Sequence, residues 1–125
     1  MGAAKVNQYG AQVISLTVPA AADSAGATGL SESVNTADRQ IAALEISATW
    51  VTAAITFAAA SSDGGTYKPV YGPDGSEVSI TVTAGAISPL TGNELAALTF
   101  IKVRSGSVGA PVAQATARAI NLILK

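Results

Sequence analysis

The chain has 125 residues, enough for one domain with a real core but not for two. It contains no cysteine and no histidine, which excludes disulfides, thiolate nucleophiles, imidazole bases and nearly every zinc or copper site. Its seven basic and eight acidic residues leave a net charge of −1, with no basic field for nucleic acid or an anionic membrane.

Taken in chain order, the pattern has a period of two. Ile14, Leu16 and Val18 alternate with Val13, Ser15 and Thr17, and Pro19 closes the run, so the first predicted strand ends there. Residues 1–11 before it can form an N-terminal arm, and residues 20–29 form a small-residue loop. A short strand is predicted near residues 31–34. Leu44, Ile46, Ala48 and Trp50 then share one face, with Glu45, Ser47 and Thr49 opposite. Ile55 and Phe57 share a face of the next strand, with Thr56 opposite. The stretch 41–60 is long enough for a membrane span, but it carries Glu45 and four Ser/Thr residues. A carboxylate at mid-bilayer costs about 2.5–3.5 kcal/mol, so two strands hinged near residues 50–52 are the better reading. The start Met1-Gly2-Ala3-Ala4-Lys5-Val6 lacks the Ser or Thr of a myristoylation site, and polar Asn7, Gln8 and Gln12 interrupt any signal-peptide core.

Ser61-Ser62-Asp63-Gly64-Gly65 is a turn cluster, followed by a short strand near residues 67–71. Val78, Ile80 and Val82 alternate with Ser79, Thr81 and Thr83, which predicts a half-buried strand with an outward polar face. Another short strand falls near residues 86–90, and residues 91–98 can hold one helical turn capped by Asn93. Thr99, Ile101 and Val103 alternate with Phe100, Lys102 and Arg104. The last run places Ile120, Leu122 and Leu124 on one face, with Asn121 and Lys125 opposite. Eight or nine short strands, punctuated by Gly, Pro, Asn and Asp, predict an all-β fold: an antiparallel two-sheet sandwich, jelly-roll-like, in a single domain over residues 1–125. Trp50 and Phe57 are the large side chains expected in its core.

Candidate chemistry is thin. Asp63 and Asp74 each sit beside glycine in a turn, where Asp bonds its own backbone and Gly supplies positive φ. A calcium loop needs several converging oxygens, so no metal site is assigned. Glu32, Glu45, Glu77 and Glu94 fall on exposed phases of strands and loops, and no Ser-x-x-Lys pair substitutes for the missing histidine. No catalytic residue, cofactor-binding residue or cofactor is therefore assigned, and the expectation is that the chain is not an enzyme. Lys102, Arg104 and Arg118 can form a small basic stripe, but solvated strand-face residues are the simpler reading. Tyr67, Tyr71 and Trp50 can form a sugar-stacking platform, against a simpler reading of a core tryptophan and hairpin-capping tyrosines. Only 12% of residues are charged, about half the usual share, which favours a surface buried against copies of itself or a larger assembly.

One resemblance rests on Trp50, Ala54-Ile55-Thr56-Phe57, Ser61-Ser62-Asp63-Gly64-Gly65-Thr66-Tyr67, Val70-Tyr71 and Asp74-Gly75. It continues through Phe100-Ile101-Lys102-Val103-Arg104-Ser105-Gly106, Pro111-Val112, Gln114-Ala115 and Arg118-Ala119-Ile120. This order of motifs, over residues 41–125, resembles a group of small tailed-phage virion proteins of the head decoration or cement type. The resemblance implies a structural protein of the virion, made in the host cytoplasm, that sits on the capsid surface and stabilises the head by bridging major capsid protein subunits. Its implied partners are the major capsid protein and copies of itself in a homo-oligomer such as a trimer, with neither nucleic acid nor membrane. The turn before Thr66 is also similar to the sialidase-type Asp box, one residue short between Gly and Thr, and to the hairpin of discoidin-like sugar-binding modules. That likeness implies the alternative: a phage tail or baseplate sandwich module binding host-surface carbohydrate.

Overall fold

Alternating burial sorts the strands into two antiparallel sheets whose apolar faces meet. The structure, a computed structural model, describes residues 12–20, 30–36, 39–90, 95, 98–112 and 114–125. Nine strands form among them: β1 (Gln12–Val18), β2 (Val34–Asn35), β3 (Ile41–Ile46), β4 (Ile55–Ala60), β5 (Lys68–Pro69), β6 (Ser79–Ile80), β7 (Ile87–Pro89), β8 (Phe100–Ser105) and β9 (Arg118–Leu124). The described residues include no helix, and so none long and apolar enough to cross a membrane. The expected arm at 1–11, the loop at 21–29, Glu94 and most of the expected turn at 91–98 lie outside the described residues.

One sheet has the order β1-β9-β3-β7. The other has the order β2-β8-β4-β5, with β6 also pairing β4. Consecutive strands mostly cross between the sheets, so each sheet alternates early and late segments of the chain. Setting β6 aside, the eight remaining strands have the connectivity of a jelly roll, as the sequence pattern predicts. Two short strands divide one edge of β4: β6 takes Ile55 and Thr56, and β5 takes Ala58 and Ala59.

The core follows the predicted faces. Leu16 and Val18 of β1, Leu44 and Ile46 of β3, and Ile120, Leu122 and Leu124 of β9 point inward from the first sheet. Ile55, Phe57, Ile101 and Val103 meet them from the second. Burying each such side chain stabilises the fold by roughly 1.5–3 kcal/mol, which fixes the register because a one-residue slip would turn the whole set to water.

Two local expectations are corrected. β3 stops at Ile46; residues 47–49 turn, Ala48 is exposed, and Trp50 enters the core from the loop with its indole N–H donating to the Ala53 carbonyl at 3.1 Å. Val78, Ile80 and Val82 do pack against the core while Ser79, Thr81 and Thr83 face solvent, but only Ser79–Ile80 forms a strand. On one side β5 already occupies the edge of β4, and on the other residues 81–83 run past the start of β4 at Ile55. Thr56 does lie opposite Ile55 and Phe57, but it is buried beneath Arg104, and β4 is covered on both faces.

Candidate interaction surface

The register of β4 against β8 places Thr56 opposite Arg104 on the outward face of the second sheet. Strand alternation leaves that arginine on the side expected for solvent, yet it is only 4% exposed. Its Nη1 donates to Glu77 Oε2 at 3.1 Å and to Thr56 Oγ1 at 3.3 Å. The Thr56 hydroxyl donates in turn to the Gly106 carbonyl at 2.6 Å. Glu77, also expected on an exposed phase, is drawn into the ion pair, with its side chain 13% exposed. Both its carboxylate oxygens accept the Val108 N–H at 3.2 Å. Removing an arginine from water is costly, and a carboxylate at bonding distance with a hydroxyl beneath it offsets that cost.

A second buried latch lies alongside. Gln114, 2% exposed, accepts the Val51 N–H at 2.8 Å and donates to the Val51 carbonyl and the Ser105 hydroxyl, each at 3.0 Å. Gly106 sits between the latches with φ +89°, its N–H donating to the Ala54 carbonyl at 2.8 Å. A Cβ there would lie 2.6 Å from the Ala110 carbonyl oxygen and the Val112 nitrogen, so the close approach needs glycine. Together these bonds fix the β3–β4 loop, the β8–β9 loop and the hairpin at residues 71–77 relative to one another. Those three segments carry exposed Val51, Tyr71, Val108 and Val112.

The remaining candidates separate. Asp63 is exposed in its turn, where Gly65 N–H bonds the Ser62 carbonyl. Asp74 is exposed in another turn, and its Oδ1 accepts the Ser76 N–H at 3.0 Å. Glu32 accepts the Thr17 N–H at 2.9 Å, and Glu45 accepts from the Asn121 amide at 2.8 Å. The described residues hold no group of three or more His, Cys, Asp or Glu side chains that could ligate a metal. Lys102 lies 4.6 Å over the Tyr67 ring, a cation–π contact. Arg118 bonds Thr116 at 2.8 Å at the start of β9, while its buried Nε has no hydrogen-bond partner among the described residues. The expected basic stripe is therefore broken up: Arg104 is internally paired, Lys102 is stacked and Arg118 belongs to the other sheet.

Trp50, 5% exposed, is removed from any platform. Tyr67 and Tyr71 stay together, because Pro69 pairs with outward Ala58 and alternation puts residues 67, 69 and 71 on one face. A groove of about 640 Å³ opens on the side of the sandwich, with Ile41, Val78, Ile80, Leu90 and Leu95 among its walls. Asp74 and Glu77 are the ionisable groups on its described lining, and Glu77 is committed to Arg104. Neither the families of known proteins, nor curated proteins, nor solved structures give a match to this chain.

Proposed function

We propose that the chain is a structural virion protein, a head decoration or cement protein that stabilises a phage capsid by bridging major capsid protein subunits. The observation that carries this reading is the strand order β1-β9-β3-β7 facing β2-β8-β4-β5, an architecture used by viral capsid domains as well as by lectins. The low charge content and the rigidly latched loops with exposed Val51, Val108 and Val112 suit a protein that acts by contact rather than by chemistry. It works without catalysis or cofactor, and its partners are the capsid lattice and copies of itself. The test is addition of purified chain to heads lacking it. Saturable binding to the outer lattice, with DNA release moved to higher temperature, is expected. Heads that neither bind the chain nor contain it would overturn the reading; binding without stabilisation would leave decoration and remove the cement role.

A second reading is favoured by one observation: Tyr67, Pro69 and Tyr71 form an outward strip beside Lys102, with Tyr71 53% exposed. Such a strip can stack on sugar faces, as a glycan-binding module of a tail or baseplate would require. Glycan-array binding abolished by Tyr71→Ala would support it, and binding undiminished by that change would sink it.

A further inference from the structure

Every sheet has two edges, and a free edge offers a row of backbone donors and acceptors to any other strand. Most edges here are blunted. β2 spans two residues, β7 spans three and contains Pro89, and the edge shared by β5 and β6 consists of two-residue strands, one of them Lys68–Pro69. β1 is different. It is seven residues long, Gln12-Val-Ile-Ser-Leu-Thr-Val18, with no proline, glycine, charge or bulge, and among the described strands only β9 pairs with it.

The direction of its free groups can be read from one bond. Thr17 N–H donates to the Glu32 carboxylate, so that N–H points away from β9. Alternation then points the N–H and C=O of Ser15 and Val13 the same way. Among the described residues nothing bonds that side of Val13 or Ser15. Glu32 blocks the C-terminal part of the edge, and no described residue covers its N-terminal part. Val13 beside it is 60% exposed, and Ile14 is half-buried at the margin of the core.

We infer that the β1 edge at Val13–Ser15 is a self-association surface, occupied by the same edge of a second copy of this chain in antiparallel register about a two-fold axis at Ile14. That register pairs Val13 of each copy with Ser15 of the other, so both residues exchange N–H···O=C bonds across the axis. It leaves the Glu32–Thr17 bond intact at each end and brings the two Ile14 side chains together. Antiparallel edges are self-complementary, and an uncharged strand meets its own copy without repulsion, which is why a second copy rather than a charged partner is the occupant. The result is one continuous sheet through both sandwiches. The inference is independent of the capsid reading, since failure to bind heads leaves it standing.

The experiment is sedimentation of the full chain over a concentration series, with backbone amide exchange on the same samples. A dimer is expected, with the Val13 and Ser15 amides gaining protection as concentration rises and the Thr17 amide unchanged. Ser15→Pro removes only the outward donor, and Val13→Lys adds a charge at the seam. Each is expected to raise the dissociation constant by at least about tenfold while circular dichroism stays that of the wild type. A wild-type chain that stays monomeric, or that forms a trimer, would overturn the inference. So would folded Ser15→Pro and Val13→Lys variants that associate as the wild type does.

Discussion

The Glu77–Arg104 pair supports a prediction with a direction as well as a size. Glu77→Ala removes the carboxylate and leaves the Arg104 charge behind a side chain only 5% exposed. Breaking a buried ion pair by removing one partner costs about 3–5 kcal/mol. Thr56 still accepts one guanidinium N–H, and Glu77 lines the groove through which water can enter, so the lower end applies, about 3 kcal/mol. Arg104→Met is the milder change. Methionine keeps much of the apolar stem, and the remaining carboxylate can rehydrate at the groove while still accepting the Val108 N–H, for a loss of about 1–2 kcal/mol. In the double variant neither charge of the pair remains, so the combined loss stays near that of Arg104→Met alone. Urea titrations at constant slope give the three values and the cycle. Additivity within about 0.5 kcal/mol, or an Arg104→Met loss exceeding that of Glu77→Ala, would refute the assignment of this pair as a coupled buried unit.

Other variants probe the same framework. Gly106→Ala combines a positive φ with a Cβ 2.6 Å from two backbone atoms, so a melting temperature within a degree or two of wild type would contradict the geometry; a loss above about 2 kcal/mol is expected. Gln114→Ala leaves the Val51 and Ser105 partners of a buried amide unmet, for about 1–3 kcal/mol, and faster amide exchange at Val51 is the local signature. Trp50→Ala is expected to cost about 3–5 kcal/mol in chemical denaturation, and a negligible loss would place the indole outside the core.

The fold was legible where burial itself alternates. Leu16 and Val18, Leu44 and Ile46, Ile101 and Val103, and the triplet Ile120, Leu122, Leu124 all face the core on the phase the sequence displays. Residues 78–83 show why alternation alone is not a strand: the period survives, but the ladder needs a partner edge, and β5 holds part of it. The polar network was hidden for a different reason. Glu77, in the hairpin at residues 71–77, and Arg104 of β8 lie 27 residues apart, and a charged residue on an outward phase reads as solvated until its partner is known. One signal was present: the nearly unbroken apolar run Ile55–Ala60 marks a strand covered on both faces, so something had to lie over Thr56. The β1 edge was half visible, since the sequence displays an uncharged strand, but only the Glu32 bond to Thr17 shows which way its free groups point.

The place of β9 has a consequence for biosynthesis. In its sheet β9 lies between β1 and β3, so until residues 118–124 have left the ribosome β1 has no ladder and β3 has only its short pairing with β7. Until then Leu16 and Val18 of β1 must be kept from other company. Non-local pairing of this kind makes folding slow and leaves the unfinished chain open to aggregation. A sequence poor in charge has few gatekeepers for that interval.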